Sequence, residues 1–454
     1  MMRLHFIAIG GSVMHSLAIA MHLLGHKVSG SDDAIYDPSR SNLEASGLLP
    51  HNLGWFPEKI NSEFDVVILG MHAKKDNPEL LEAQKKGLKI QSYPEFLAAR
   101  SQNKSRVVIA GSHGKTTITS MILYVLHYHE IKTDFMVGAQ LKFMSETLSI
   151  SKENDFILLE GDEYLSSPID LRPKFLWYRP EIALISGIAW DHINVFPTFE
   201  NYVKQFESFI NSIQPGGVLI YNEEDEILKA LVEAHPHSIK KIPYKTPKHY
   251  INNSITYLET TEGNLPLSVF GEHNLLNLAG AKWITQLMGL DASEFYEAIP
   301  SFIGASKRLE CLVKSKTAFL FKDFAHAPSK VTATSKAIKK QFSNHKIVIC
   351  LELHTYSSLD SEFIEQYAHS LDQADEVVVF YNPEALKIKK RAPIAPESIK
   401  QAFRSTSINI FNHKDSLLNF LLKKKYENKV LVMMSSGSFG DLDWEILKAR
   451  VAEF

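Results

Sequence analysis

Short apolar runs alternate with amphipathic stretches along most of the chain. This alternation predicts an α/β fold, because strands that pair in parallel need a crossover, usually a helix, to return the chain to the same edge of the sheet. The first hundred residues follow the pattern, with strands predicted at 4–9, 27–29 and Val66–Leu69 and a helix at 13–24. Further strands are predicted at residues 156–159, 182–188, 218–220, 318–321, 346–351, 376–380 and 430–434.

The same pattern divides the chain into three predicted domains, at residues 1–103, 104–308 and 309–454. A polar stretch at 100–104 reads as a linker between the first two. Residues 237–267 are polar and strand-like, which predicts a small antiparallel excursion within the second domain. We therefore expect an α/β protein with a Rossmann-like N-terminal domain, a central domain on a parallel sheet and a Rossmann-like C-terminal domain.

The composition of the 454 residues excludes several classes of function. Hydrophobic residues make up 45% of the chain, enough for several buried cores, and the formal net charge of −3 gives no electrostatic basis for binding nucleic acid or an anionic membrane. The two cysteines, Cys311 and Cys350, are too far apart for a CxxC site and too few for a disulfide framework. Neither a secretory h-region nor a run of about 18 apolar residues occurs, so we expect a cytoplasmic protein with no nucleic-acid or membrane partner.

The clearest chemical signal is a turn that follows the apolar strand at 107–110. Its sequence is Gly111-Ser112-His113-Gly114-Lys115-Thr116-Thr117. Backbone N–H groups of such a turn, together with the positive end of the following helix, bind one phosphate group. Lys115 is predicted to reach the outer phosphates of a nucleotide and the Thr116 hydroxyl to reach Mg²⁺. The loop therefore predicts that the central parallel sheet is of the P-loop ATPase type. The usual first glycine of such a loop, five residues before Gly114, is replaced by Ile109.

A second glycine turn follows the first strand of the chain. The dinucleotide fingerprint G-x-G-x-x-G requires glycines at positions 8, 10 and 13, and only Gly10 is present. A nucleotide diphosphate without nicotinamide therefore fits the Gly10-Gly11 turn better. Ser31 and Asp32 follow the second strand, where an acidic side chain often binds a ribose or base. The alternative for Asp32 is an ordinary turn residue.

Acidic and histidine side chains end two strands of the central domain. Glu160 follows the strand at 156–159, and Asp191-His192 follow the strand at 182–188. Because the carboxyl ends of parallel strands meet at one edge of a sheet, these groups are expected to lie near Lys115 and Thr116. Mg²⁺ prefers such hard oxygen ligands. Each group alone is more typical of a solvated turn, but their convergence favours a metal–nucleotide site.

Taken together, these motifs resemble the Mur ligase family, the ATP-dependent amide-forming enzymes of peptidoglycan synthesis. The phosphate loop of that family reads G-T-H/N-G-K-T, which accounts for Ile109 in this chain. The other matching motifs are Glu160, Asp191-His192, Gly271-Glu272-His273-Asn274-Leu275-Leu276-Asn277, Lys307-Arg308-Leu309-Glu310 and Asp323-Phe324-Ala325-His326-Ala327-Pro328. They occur in the order of the family and cover nearly the whole chain.

The resemblance implies a set of roles for individual residues. It implies ATP and Mg²⁺ as cofactors, with Lys115, Glu160 and His192 as the catalytic set. Thr116 and Glu160 hold a first metal ion in this scheme and His192 a second. The residues alone leave Asn274 open between a helix cap and an adenine contact, and the resemblance favours adenine. The further implied contacts are Arg308 and Asp323 for phosphate and ribose, Gly10, Gly11, Ser31, Asp32 and His72 for a UDP-sugar, and His354 and Tyr356 for a peptide.

The glycine turn and Gly30-Ser31-Asp32 are similar to the members that use UDP-N-acetylmuramic acid itself. Some of these add L-alanine, and others reattach the tripeptide L-alanyl-γ-D-glutamyl-meso-diaminopimelate through an acyl phosphate. Segments 160–164, 172–175, 178–180 and 436–440 are more similar to the tripeptide ligases. The expected function is therefore ligation of the tripeptide, by a monomer or weak dimer, with L-alanine as the alternative acceptor.

Three departures from the pattern keep other interpretations open. Ala327 stands where the tripeptide ligases have histidine. Leu353-His354-Thr355-Tyr356 stands where the tripeptide ligases have Pro-Arg-Ser-Asn and the alanine ligases have Pro-His-Arg-Tyr. Several relatives carry a carbamylated lysine where this chain has Glu207, which either supplies a carboxylate or faces solvent. A sugar-nucleotide-binding protein that has lost catalysis is the alternative from a different class, and intact Lys115, Glu160 and His192 argue against it.

Overall fold

The computed structural model describes residues 1–190, 195–306, 308–360, 363–388, 395–404 and 407–454. It divides into two compact units. The first contains Met1–Trp190, Val195–Lys245 and Leu278–Ala298, and the second contains Thr246–Asn277 and Ile299–Phe454. The three predicted domain ranges stay a prediction. Among the described residues, we find no helix that combines the length and the hydrophobicity needed to span a lipid bilayer.

The first hundred residues form a four-stranded parallel sheet with helices between its strands. The elements in chain order are β1 (Arg3–Ile7), α1 (Ser12–Leu23), β2 (Lys27–Ser31), α2 (Ser39–Ala45), β3 (Val66–Leu69), α3 (Pro78–Lys85), β4 (Ile90–Ser92) and α4 (Tyr93–Arg100). The strand order is β2-β1-β3-β4, with every pair parallel. All four residues of β3 are buried, as expected for a parallel strand with both faces covered. The Rossmann-like prediction for this part is confirmed.

The central part is built on a seven-stranded sheet. Its elements are β5 (Ser105–Ala110), α5 (Lys115–Tyr128), β6 (Asp134–Met136), β7 (Leu148–Ser149), β8 (Phe156–Gly161), β9 (Leu165–Ser167), β10 (Asp170–Pro173), β11 (Ile182–Ile185), α6 (Phe199–Ser212), β12 (Val218–Asn222), α7 (Glu226–Ala234) and β13 (Lys240–Tyr244). The order is β13-β12-β11-β5-β8-β6-β7, in which only the β6–β7 pair is antiparallel. The β5 strand lies in the middle of this sheet, with β8 and β11 as its neighbours. The carboxyl ends of β5, β8 and β11 therefore lie at the same edge of the sheet, and they carry Gly111, Glu160 and Ser186.

Two predictions from the sequence need correction here. The strand predicted at 182–188 ends at Ile185. Beyond it the Ser186 amide donates to Ala110 O at 3.0 Å, and Gly187 turns the chain with φ of 152°. The antiparallel segment predicted at 237–267 is also shorter than predicted. Its first strand, β13, pairs in parallel with β12 and belongs to the main sheet.

The remaining elements follow in chain order. They are β14 (His249–Asn252), β15 (Ile255–Thr260), β16 (Gly263–Leu267), α8 (Glu272–Leu287), α9 (Ala292–Ala298), β17 (Glu310–Lys314), β18 (Ala318–Asp323), α10 (Pro328–Gln341), β19 (Lys346–Leu353), β20 (Glu376–Tyr381), α11 (Pro383–Ile388), α12 (Pro396–Ala402), β21 (Ile408–Phe411), α13 (Lys414–Leu422), β22 (Lys429–Met434) and α14 (Trp444–Ala452). The first three form a small antiparallel sheet. The last large sheet has the order β17-β18-β22-β19-β20-β21, with only its edge strand β17 antiparallel. The predicted α/β architecture is confirmed for all three parts.

Candidate functional site

The turn between β5 and α5 has the backbone of an anion-binding loop. Gly114 precedes the first residue of α5 and adopts a left-handed conformation with φ of 81°. Gly111 has φ of 125°, and a Cβ added there would lie 2.1 Å from Ser186 Oγ. Only glycine fits such a position without strain. The turn therefore leads directly into the N-terminus of α5, where free N–H groups and the helix dipole favour an anion.

The Lys115 ammonium lies inside this turn. Its Nζ donates to Gly111 O and to Glu163 Oε2, each at 2.6 Å. Burial lowers the pKa of Lys115, but attraction to the carboxylates of Glu163 and Asp162 outweighs burial and raises this pKa above its ordinary value. Lys115 is therefore a fixed cation at the base of the loop.

Thr116 and Glu160 supply oxygen atoms beside this cation. Residue Ile109 of β5 is the register partner of Glu160 in β8, so the end of β8 lies next to the loop. The Thr116 hydroxyl donates to Glu160 Oε2 at 3.3 Å. A Cβ added at Gly138 would lie 2.9 Å from the same oxygen, so a glycine keeps this side of the carboxylate open. A hydroxyl and a carboxylate are the hard oxygen ligands that Mg²⁺ prefers, so Thr116 and Glu160 would fit such an ion.

His192, the predicted second metal ligand, lies outside the described residues, as does its neighbour Asp191. Within the described ranges there is no group of three or more His, Cys, Asp or Glu side chains placed to hold a metal ion. Glu207, the other possible carboxylate, is exposed on α6. Metal binding by Thr116 and Glu160 therefore stays a prediction.

The sequence did not predict a buried hydrogen-bonded network behind the loop. Tyr202 of α6 is fully buried, and its hydroxyl donates to Glu163 Oε1 at 2.8 Å. The same hydroxyl lies 2.8 Å from Ser112 Oγ, which accepts from the Ala189 amide at 2.9 Å. Glu163 comes two residues after the end of β8, and this position could have predicted that it lies near the loop. The residues around Tyr202 in the sequence give no such indication.

The other acidic residue of this segment also has a cation. Lys174 Nζ donates to Asp162 Oδ2 at 2.5 Å. Burial, followed by the charges of Asp162 and Glu160, raises the pKa of Tyr93 well above its ordinary value. The acidic segment after β8 is thus a charge-paired structure rather than the solvated turn that was its simpler interpretation.

The predicted sugar-nucleotide residues are distributed differently in the first sheet. Asp32 is buried, and its Oδ2 accepts from the Gly10 amide at 2.7 Å. Burial raises the pKa of this carboxyl. Ser31 is fully buried, whereas His72 is exposed. The structure therefore brings Asp32 onto the Gly10 turn as a support for its backbone, and the side chain of Ser31 does not reach the surface.

Three predicted nucleotide contacts lie in the second unit, each held by local bonds. Asn274 Nδ2 donates to the carbonyl of Phe270 at 2.9 Å. Asp323 accepts from the Leu309 amide at 3.1 Å and from the Thr334 hydroxyl at 2.5 Å. The guanidinium of Arg308 lies 4.2 Å from the centre of the Phe324 ring. Binding of adenine, phosphate or ribose by these residues stays a prediction.

His354 and Tyr356, the predicted peptide contacts, follow β19 in the second unit. His354 Nδ1 lies 3.6 Å from Oε1 of Glu352, whose side chain is only 1% exposed. The other carboxylate oxygen, Oε2, accepts from the Phe439 amide at 2.9 Å. A Cβ at Gly437 would lie 2.7 Å from His354 Nδ1, so the ring packs directly on that glycine. Tyr356 is 45% exposed. The imidazole thus packs on Gly437 beside the Glu352 carboxylate, and 37% of the His354 side chain is exposed.

Comparisons with known proteins agree on one family. Residues 3–105 match the model of the Mur ligase family catalytic domain, 109–284 the Mur ligase middle domain and 307–437 the Mur ligase glutamate ligase domain. A UDP-N-acetylmuramate–L-alanine ligase of Caldicellulosiruptor saccharolyticus is 31% identical, over 84% of this chain and 83% of its own. The UDP-N-acetylmuramate–L-alanyl-γ-D-glutamyl-meso-2,6-diaminoheptandioate ligase of Escherichia coli is 27% identical over 98% of both chains. The crystal structure of a UDP-N-acetylmuramate–alanine ligase from Thermotoga maritima shares the fold, with a TM-score of 0.73, 21% identity and coverage of 100% of this chain and 99% of its own.

Proposed function

The chain belongs to the Mur ligase family of ATP-dependent, amide-forming ligases, and we propose that it joins the tripeptide L-alanyl-γ-D-glutamyl-meso-diaminopimelate to UDP-N-acetylmuramic acid. The E. coli relative that covers the chain end to end carries this substrate pair in its name. The resemblance of segments 160–164, 172–175, 178–180 and 436–440 to the tripeptide ligases supports the same acceptor. We also propose that the enzyme acts in the cytoplasm.

The arrangement of Lys115, Thr116 and Glu160 at one edge of the central sheet carries the proposal. In the proposed reaction, a carboxylate oxygen of the muramic acid forms a bond to the γ-phosphorus of ATP while the bond to the ADP oxygen breaks. The amine of the tripeptide then bonds to the carbonyl carbon of the acyl phosphate, and inorganic phosphate leaves as the amine loses a proton. Such transfers depend mainly on positioning and on electrostatic stabilisation of the phosphoryl group.

Each residue of the loop has a distinct task in this scheme. The amides at the start of α5 and the Lys115 ammonium bind the phosphates and offset the charge that moves to the leaving oxygen. Thr116 and Glu160 would hold Mg²⁺, which neutralises phosphate charge when it is bound. The Gly10 turn, supported by Asp32, would face the UDP group.

We assign the amino substrate to the segment that follows β19. His354 is fixed by Glu352 and by packing on Gly437, and its accessible side can donate to a carboxylate of the acceptor peptide. Tyr356, two residues further on, is exposed enough to contact the same substrate. A tripeptide with several carboxylates suits a donor held in a fixed orientation.

A panel of acceptors tests the proposal. The purified chain is incubated with ATP, Mg²⁺ and UDP-N-acetylmuramic acid, and phosphate release is measured with tripeptide, with dipeptide and with L-alanine. We expect turnover that requires both the sugar nucleotide and the tripeptide. Phosphate release with ATP alone would indicate a simple ATPase. The absence of phosphate release with every acceptor would indicate a binding protein without catalysis.

The second candidate is a ligase that adds L-alanine. The C. saccharolyticus relative, at 31% identity, is named for that reaction. His354 and Tyr356 also occupy the places of histidine and tyrosine in the loop of the alanine ligases. Turnover with L-alanine that equals or exceeds turnover with tripeptide would establish this function instead.

A further inference from the structure

A chain of hydrogen bonds converges on Glu163 behind the phosphate loop. The Ala189 amide donates to Ser112 Oγ at 2.9 Å, and the hydroxyls of Ser112 and Tyr202 lie 2.8 Å apart. Tyr202 donates to Glu163 Oε1 at 2.8 Å, and Lys115 donates to Oε2 at 2.6 Å. Both carboxylate oxygens are thus engaged by donors from the loop and from α6.

The direction of these bonds follows from the number of hydrogens. A tyrosine hydroxyl has one hydrogen, which Tyr202 gives to Glu163, so the Ser112 hydroxyl must donate to the Tyr202 oxygen. Every donor in the chain then points toward the carboxylate, and such aligned bonds strengthen one another. The Glu163 side chain is only 1% exposed. The network therefore stabilises a buried negative charge next to Lys115.

We propose that Glu163 is a positioning residue that competes with the phosphates of the nucleotide for the Lys115 ammonium. In the structure the Lys115 ammonium donates to the Gly111 carbonyl and to the Glu163 carboxylate. Phosphate binding then exchanges one anionic partner of Lys115 for another. Tyr202 and Ser112 keep the carboxylate at the competing position. The proposal depends on the role of Lys115 in binding nucleotide phosphates.

The Glu163→Gln variant of the full chain tests the competition. Glutamine has nearly the same shape and still accepts from Tyr202, but it carries no charge. We expect the variant to bind ADP in the presence of Mg²⁺ roughly tenfold more tightly than the wild type, as measured by isothermal titration calorimetry, because close charge pairs are coupled by at least this factor. The control is Glu200→Gln, since Glu200 is an exposed residue of the same helix as Tyr202 and pairs with Lys204 at 3.0 Å. It is expected to leave the affinity unchanged.

A double-mutant cycle separates competition from a general structural effect. In a Lys115→Met background the Glu163→Gln substitution is expected to tighten ADP binding by a clearly smaller factor, measured on the folded fraction, because the cation for which Glu163 competes is gone and only the removal of its own charge remains. Glu163→Asp, which withdraws the carboxylate by one methylene, should tighten binding in the same direction but less, and it serves if the glutamine variant does not fold. Unchanged or weaker binding in the folded Glu163 variants, or an effect of the same size without Lys115, overturns the proposal. Turnover in the acceptor panel reports the ligase function separately.

Discussion

Replacing Lys115 by methionine is expected to destabilise the central domain unless Glu163 is neutralised at the same time. The pair is close, at 2.6 Å, and the carboxylate side chain is only 1% exposed. Removing one member of a buried ion pair costs about 3–5 kcal/mol, because the other charge stays in a medium that solvates it poorly. Methionine nearly matches the length of lysine, so loss of packing contributes little. The Lys115→Met/Glu163→Gln double variant carries no such charge and is expected to regain most of this free energy.

Hydrogen exchange followed by mass spectrometry measures this effect locally, which suits a chain of several domains. Peptides covering β5, α5 and β8 should exchange more than about a hundredfold faster in Lys115→Met, since each 1.4 kcal/mol is a factor of about ten. Lys204→Met, at an exposed pair, is the control and should cost less than about 1 kcal/mol. Turnover should be lost in both Lys115 variants. The reasoning would be refuted if these peptides exchanged at the wild-type rate in Lys115→Met. It would also be refuted if they exchanged as fast in the double variant as in Lys115→Met.

Three further predictions concern the other parts of the candidate site. Thr116→Val removes one of the two proposed oxygen ligands of Mg²⁺, so the Mg²⁺ concentration for half-maximal phosphate release should rise roughly tenfold or more. Glu352→Gln weakens the hold on His354, so KM for the acceptor should rise about two- to fivefold while KM for ATP stays constant; a change in the ATP value alone would contradict the assignment. Burial raises the pKa of Asp32 above its unfolded value of 3.8, so this group favours the folded state less as the pH rises through the interval above 3.8. With rising pH over that interval, the unfolding free energy of Asp32→Asn should therefore gain on that of the wild type; a loss relative to the wild type would show that the bond from Gly10 stabilises the carboxylate more than burial penalises it.

The sequence was sufficient for the architecture and for the phosphate loop, since both depend on short-range patterns. Continuous apolar runs predicted β5 and β8 because a strand buried on both faces needs them. The strand at 182–188 was predicted too long, because Ile188 was counted with the apolar run although Ser186 and Gly187 interrupt it. The strand β11 ends at Ile185, and Gly187, with φ of 152°, turns the chain two residues later.

Single side chains of the site were harder to place than the loop itself. The pattern correctly brought Thr116 and Glu160 to one edge, because parallel register fixes the ends of β5 and β8 side by side. The sequence left Asp32 open between a contact to a ribose or base and an ordinary turn residue. In the structure its carboxylate accepts a hydrogen bond from the Gly10 amide. A local motif specifies where the backbone goes, but the direction of a side chain depends on what packs around it.

The sequence by itself determined the phosphate loop, because a few consecutive residues set the backbone geometry of such a turn. It also determined the order of the motifs and the family, because each motif is recognised from its own consecutive residues. What only the tertiary structure decided is the partner of Lys115. Tyr202 is 39 residues from Glu163 and 90 from Ser112 along the chain, and the three meet because the Tyr202 side chain of α6 reaches the segments that follow β5 and β8. Contacts at such separations are set by the packing of whole elements and by the cost of burying a charge. They cannot be read from the neighbours of any one residue.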